Sequence, residues 1–176
     1  MKKTAKLLAL LLAVLTMAVM LTACGEKEEK VDTLTRAKVT EEEIVLPEGM
    51  DPEAGYAAQF TDTGMTLVFN GNNKWDTDYF TVPSGSLSIR AKATGEASGM
   101  RSFKIALWEK VDGGAAYVDK STVYYYTVGK DAAGDMHTYT LEGLDPNAQY
   151  RLTLSYDAYG YHIFGQMQVD GAAPLA

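Results

Sequence analysis

Apolar residues recur at every second position through much of this chain, and that period limits what the chain can fold into. In the run SLSIRAKA, residues 86–93, the apolar Leu87, Ile89, Ala91 and Ala93 alternate with polar side chains. Such alternation predicts a strand with one buried and one solvated face. The same pattern recurs at residues 103–107, 150–154 and 163–169. With polar turns between them, these runs predict an all-β fold, an antiparallel β-sandwich of about seven to nine strands.

A charged and then apolar leader opens the chain. Lys2, Lys3 and Lys6 precede an apolar and small-residue run at positions 7–20. This run is shorter than the roughly 20 residues that a membrane-spanning helix needs, so it predicts a secretion signal.

The leader ends in Leu21-Thr22-Ala23-Cys24, which resembles the lipobox of bacterial lipoproteins. The resemblance implies that residues 1–23 are a lipoprotein signal peptide and that the Cys24 thiol receives a diacylglycerol anchor. Two acyl chains hold a protein stably on a membrane without a spanning helix. The next residue is Gly25 and not the aspartate associated with inner-membrane retention. We therefore expect an extracytoplasmic location, with a Gram-positive cell surface favoured and a Gram-negative outer membrane as the alternative.

Residues 24–53 differ in composition from the rest of the mature chain. They are rich in Glu and contain no aromatic residue, whereas every Phe, Trp and Tyr lies in residues 54–176. A segment with so little to bury is predicted to be a mostly disordered, lipidated acidic tether. Within it, residues 44–46 form a short apolar run that is compatible with an added edge strand. One β-sandwich domain is predicted over residues 54–176.

The charge balance excludes one class of partner. The chain carries 16 basic and 23 acidic residues, and removal of the leader takes away further lysines. Nucleic-acid binding normally leaves a basic footprint, so nucleic acid is not an expected partner.

Two local sequences resemble known β-sandwich domains. The run YTLEGLDPNAQYRLTL, residues 139–154, resembles the strand, turn and strand of fibronectin type III domains, which implies that Tyr150 forms a tyrosine corner with upstream backbone. The run DYFTVPSGSLSIRA, residues 78–91, is similar to the opening of small jelly-roll-like domains at the ends of secreted bacterial peptidases. Both resemblances imply a sandwich, and neither implies a reaction.

The sequence offers little for catalysis. It has two histidines, His137 and His162, a single cysteine, and none of the common hydrolase, metalloprotease or nucleotide-binding motifs. We therefore predict a protein that is not an enzyme and has no cofactor or bound metal. A calcium site would need the oxygen atoms of four residues that an Asn-rich turn explains equally well: Asn70, Asn72, Asp76 and Asp78.

Aromatic residues outside the core are the better candidates for function. Trp108 is out of phase with the inward residues of its strand, and Trp75 lies in a polar turn beside Asp76. Tyr159 and Tyr161 surround the glycine of a predicted hairpin. Such rings stack on sugars or anchor protein interfaces. The sequence thus predicts a binding or adhesion module, with carbohydrate as the candidate ligand; the alternatives are an accessory protein of an envelope complex and an unrecognised hydrolase.

Overall fold

The computed structural model describes residues 34–129 and 134–176. The chain divides into two units, Met1–Thr33 and Leu34–Ala176, and the first lies outside the described residues together with the predicted signal peptide and Cys24. Among the described residues, no helix is long and apolar enough to cross a membrane.

The described part of the chain consists of strands joined by turns and contains no helix. The prediction of an all-β sandwich is therefore confirmed. The strands are β1 Thr35–Arg36, β2 Lys38–Val39, β3 Tyr56–Phe60, β4 Gly64–Asn72, β5 Lys74–Asp76, β6 Ser86–Gly95, β7 Arg101–Val111, β8 Gly114–Tyr117, β9 Val123–Gly129, β10 His137–Glu142, β11 Tyr150–Tyr156 and β12 Ile163–Asp170.

The strands form two sheets. The front sheet has the order β5-β11-β7-β9-β1, with β8 paired to the second half of β7. The back sheet has the order β3-β4-β12-β6-β10-β2. A short parallel pairing of β6 with β9 joins the two at one edge. All other pairs are antiparallel except β1 with β9.

This strand order is that of a jelly roll, in which the last strand lies between two early strands of one sheet. In the fibronectin arrangement the last two strands are neighbours in one sheet. Here β11 belongs to the front sheet and β12 to the back sheet, so the fibronectin alternative for the fold is wrong and the jelly-roll alternative is confirmed.

The tyrosine corner is nevertheless present. The Tyr150 hydroxyl donates to the carbonyl oxygen of Asp145 at 3.3 Å and accepts the backbone N–H of the same residue at 2.9 Å. The local motif was therefore predicted correctly, although it is set in another strand order.

A chain of aromatic rings joins the two sheets through the core. Phe103 of β7 lies 5.2 Å from the stacked ring of Tyr125 and 6.4 Å from the ring of Phe69 in β4. The Tyr125 hydroxyl donates to the carbonyl oxygen of Ile89 in the back sheet at 3.1 Å. Burial raises the pKa of this phenol above its ordinary value, which keeps it protonated as a donor. The inward residues that the alternation predicted, such as Leu107, are buried.

Residues 34–53 contribute to the sandwich. The compact unit begins at Leu34, and Ala37 between β1 and β2 is buried, whereas the sequence placed the start of the domain at residue 54. The segment Thr40–Ala54, here called the strap, then crosses the outer face of the back sheet. Its apolar run at residues 44–46 forms no strand.

Polar contacts hold the strap in place. Glu42 pairs with Arg90 of β6 at 2.8 Å, and the Asn70 side-chain amide donates to the carbonyl oxygens of Pro52 at 3.0 Å and Ala54 at 2.8 Å. Val68, which alternation points outward from the back sheet, is fully buried. The strap is therefore part of the folded unit, although its acidic composition predicted a disordered tether.

Candidate binding face

The outer face of the front sheet is reached by solvent, and we call it the open face. Strand register places alternate residues of β5, β7, β9 and β11 on it, and none of them is buried. They are Lys74, Asp76, Ser102, Lys104, Ala106, Trp108, Lys110, Tyr124, Tyr126, Arg151, Thr153 and Ser155. Strand register places Arg151 beside Trp108, Lys104 beside Tyr124 and Ser102 beside Tyr126, so polar and aromatic side chains are neighbours on this face.

Aromatic rings gather at one end of the open face. Trp108 meets the ring of Tyr117 edge-on at 5.7 Å, and Arg151 is its register partner on β11. The Tyr79 ring lies beneath two cations, with Lys110 Nζ at 5.4 Å and Arg151 Cζ at 5.8 Å from its centroid. Trp108 is half-buried, and the position of its ring outside the core agrees with its phase in the sequence. The ring that contacts its indole, Tyr117, belongs to β8.

A polar group occupies the middle of the open face. The Thr153 hydroxyl donates to the Asp76 carboxylate at 2.6 Å, and Arg151 Nη1 lies 3.6 Å from the other carboxylate oxygen. Ala106 is the register partner of Thr153 on the next strand, so a small side chain lies beside this group. The result is a shallow area with hydrogen-bond donors and acceptors fixed by their neighbours.

A second polar group lies at the other end. Asp157 accepts a hydrogen bond from the Ser102 hydroxyl at 2.8 Å and pairs with Lys104 at 3.3 Å. With Met100, Arg101 and Tyr126, Ser102 and Asp157 line an open cleft of about 270 Å³. This cleft adjoins the open face at the start of β7.

The structure brings together two of the residues that the sequence singled out. Asp76 and Trp108 share the open face and are linked through Arg151, which the sequence did not single out although its alternation with Thr153 placed it outside the core. Trp75 points the other way, because its register partner Leu154 faces the core. Its ring packs against Phe69 at 5.3 Å.

Tyr159 and Tyr161 lie away from this group. They occupy the loop that follows β11, at the end opposite Arg151, and Tyr159 is fully exposed. The structure describes no hydrogen bond from either side chain to the open face. Neither residue is joined to Asp76 or Trp108 by a described contact.

The histidines do not meet carboxylates in a cleft. His137 is buried, and its Nδ1 lies 2.9 Å from the carbonyl oxygen of Asp135. His162 Nδ1 lies 3.0 Å from Glu96 Oε2 on the surface.

The four residues weighed for calcium are dispersed. Asn70 holds the strap on the back sheet, whereas Asp76 faces outward from the front sheet. Among residues 34–129 and 134–176, no group of three or more His, Cys, Asp or Glu side chains is placed to hold a metal ion.

A second concave feature lies between the strap and the back sheet. Two clefts, of about 270 and 410 Å³, share Thr94, Phe164, Gly165 and Gln166. Phe164 is the single aromatic residue of this groove, and the strap borders it with acidic side chains. The open face has more rings and a more balanced set of polar partners.

No protein-family model matches the chain, and no curated protein matches it. Several solved structures are similar in part, and three of them are described here. A structure of the CBM22-1–GH10 modules of Clostridium thermocellum endo-1,4-β-D-xylanase 10B, complexed with xylohexaose, matches with a TM-score of 0.38 and 10% identity over 65% of this chain and 26% of that one. This chain thus corresponds to about a quarter of that xylanase structure.

The other two similar structures are smaller. TmCBM61 in complex with β-1,4-galactotriose matches with a TM-score of 0.34 and 14% identity over 60% of this chain and 69% of that one. CBM28, a carbohydrate-binding module specific for non-crystalline cellulose, matches with a TM-score of 0.35 and 9% identity over 67% of this chain and 78% of that one.

Proposed function

We propose that the sandwich is a glycan-binding module and that the open face is its binding surface. The observation that carries this proposal is the Trp108–Tyr117 ring pair beside the Arg151–Asp76–Thr153 group on a sheet face that remains accessible. Sugar rings present C–H faces that pack on aromatic rings, and their hydroxyls pair with fixed carboxylate and guanidinium groups. A flat polymer lying on the open face would meet both kinds of contact.

We also propose that Cys24 anchors this module to the outer side of a cell membrane, with a Gram-positive surface favoured. Leu34, where the compact unit begins, lies ten positions after Cys24. A fully extended chain of this length spans at most about 35 Å. The glycan would therefore be one that lies close to the membrane or is brought there.

The accessory-protein alternative has less support. It would need a contiguous apolar surface, and the exposed large apolar side chains of the described residues lie on separate strands and loops. They are Leu34, Val39, Val45, Tyr56, Met100, Val111, Tyr117, Tyr159, Tyr161 and Leu175. Even in the β7–β8 hairpin, Val111 pairs with Gly114 and Tyr117 pairs with Trp108, so these two exposed side chains are not register partners.

Replacing Trp108 by alanine should weaken glycan binding by at least about tenfold, or ~1.4 kcal/mol, because central aromatic contacts supply a large share of binding energy. Affinity electrophoresis of the detergent-solubilised full chain in xylan, galactan, hydroxyethyl cellulose and polygalacturonate measures this loss. Phe164→Ala in the strap groove is the matched control and should retain affinity. If Phe164→Ala loses binding and Trp108→Ala does not, the groove and not the open face is the site.

Replacing Cys24 by serine should release the protein from the membrane fraction, because a hydroxyl at this position is not the thiol that receives the diacylglycerol. Fractionation of cells that express either form, followed by immunoblotting, measures the distribution. Thr22→Ser is the matched control and should leave the protein in the membrane fraction. Equal membrane retention of the Cys24→Ser form would contradict lipid anchoring.

A further inference from the structure

Charge is distributed unevenly between the two sides of the sandwich. The open face carries more basic than acidic side chains, although the whole chain has a formal net charge of −7 at pH 7. Among the residues that the structure describes, its basic residues are Arg36, Lys74, Lys104, Lys110 and Arg151, and its acidic residues are Asp76 and Asp157. The open face is thus a positive surface on an acidic protein.

The opposite side is acidic. Lys38, Arg90 and Lys92 are outnumbered there by the carboxylates of the strap and of the back sheet. These are Glu41, Glu42, Glu43, Glu48, Asp51, Glu53, Glu142 and Asp170. An anionic polymer would be attracted to the open face and repelled from the strap groove.

Two of the cations on the open face have no carboxylate partner among the described residues. Lys104 and Arg151 pair with Asp157 and Asp76, which offsets part of their charge. Lys110 donates instead to the neutral Gln149 side chain at 2.9 Å and lies over the Tyr79 ring, and no ion pair is described for Lys74. These two lysines leave net positive charge on either side of the Arg151–Asp76–Thr153 group.

Cations and rings are spread along one strand. Lys104, Trp108 and Lys110 stand on the same face of β7. At about 3.4 Å per residue, they cover roughly 20 Å, which is long enough for several sugar residues. A ligand that combines sugar rings with negative charges would meet both the ring and the lysines of this row.

We propose that the ligand of the open face is a polyuronate, a polysaccharide whose pyranose rings carry carboxylates. This inference rests on the proposed function and specifies its substrate class. Ring faces would pack against Trp108 and Tyr117, and carboxylates would meet Arg151, Lys110 and Lys74. A poly(glycerol phosphate) chain has the charge but no ring, so it would leave the aromatic end unused.

Binding of polygalacturonate to the detergent-solubilised full chain, measured by isothermal titration calorimetry, tests the proposal. Fully methyl-esterified polygalacturonate is the matched ligand, since it keeps the same backbone and loses the charge. We expect the free acid to bind at least tenfold more tightly at low ionic strength. The difference should shrink as sodium chloride is added, because salt screens exposed charges.

Two double variants test whether the open face causes the preference for the free acid over its ester. Lys74→Glu/Lys110→Glu on the open face should abolish the preference for the free acid. Lys38→Glu/Lys92→Glu makes the same change of net charge on the opposite side and should preserve it. Thermal unfolding of both variants monitors folding, and the salt dependence of the unaltered chain tests the proposal even if a variant unfolds.

The possible failures are distinguishable. Equal binding of the free acid and its ester would overturn the polyuronate proposal and leave glycan binding in place. Tighter binding of poly(glycerol phosphate) than of polygalacturonate would overturn it in favour of a phosphate polymer. Absence of binding to every polysaccharide tested would overturn both the polyuronate proposal and the proposed function.

Discussion

Replacing Phe103 by alanine should lower the free energy of unfolding by about 3–5 kcal/mol, the range observed when a buried phenylalanine is truncated. Its ring is fully buried, stacks on Tyr125 at 5.2 Å and approaches Phe69 of the other sheet at 6.4 Å. Truncation would remove these contacts and leave a cavity between the sheets. Because the sandwich core is one cluster, neighbouring rings have little room to close it.

Urea denaturation followed by circular dichroism measures the effect. Lys104→Ala, one residue further along β7 and on the open face, is the matched control and should change the stability by less than about 1 kcal/mol. A loss of less than 1 kcal/mol for Phe103→Ala would contradict the view that this ring joins the two sheets.

Replacing Gly165 by alanine should destabilise the sandwich by about 3 kcal/mol, at the upper end of the usual penalty for overpacking. Gly165 lies in β12 opposite Ala93 of β6. An added β-carbon would collide with the carbonyl oxygen of Lys92 and lie 2.8 Å from the β-carbon of Ala93. The colliding oxygen belongs to the backbone, so the two central strands of the back sheet would have to separate.

Gly114→Ala in β8 is the control for this substitution. An added β-carbon there meets open space, and the stability should change by less than about 0.5 kcal/mol. Differential scanning calorimetry of both variants checks the contrast. Equal melting temperatures for Gly165→Ala and the unaltered chain would mean that β12 and β6 are not packed as closely as the structure has them.

Alternation in the sequence predicted which side chains enter the core, because side-chain direction in a strand is a local property. Ile105 and Leu107 are buried and Trp108 lies outside, as their phase indicates. The Tyr150 corner was also predictable, since both of its partners lie within a few residues.

Features that depend on distant pairing were not predictable in this way. Trp75 faces the core because β5 pairs with β11 in a particular register, and that register is set by residues far along the chain. The same pairing of β5 with β11 brings Arg151 close to Asp76 and so places it in the proposed binding site. The position of the strap was not predicted because contacts with residues far along the chain hold it, such as the Glu42–Arg90 ion pair. The composition of the segment does not indicate such contacts.

Backbone amide NMR of the isotope-labelled full chain in detergent micelles, titrated with oligogalacturonate, tests most directly whether the open face binds glycan. We expect the largest chemical-shift changes on β5, β7 and β11, with Trp108, Arg151 and Thr153 among the most affected residues. Changes centred on Phe164 and Gln166 under the strap, with the open face unaffected, would contradict it.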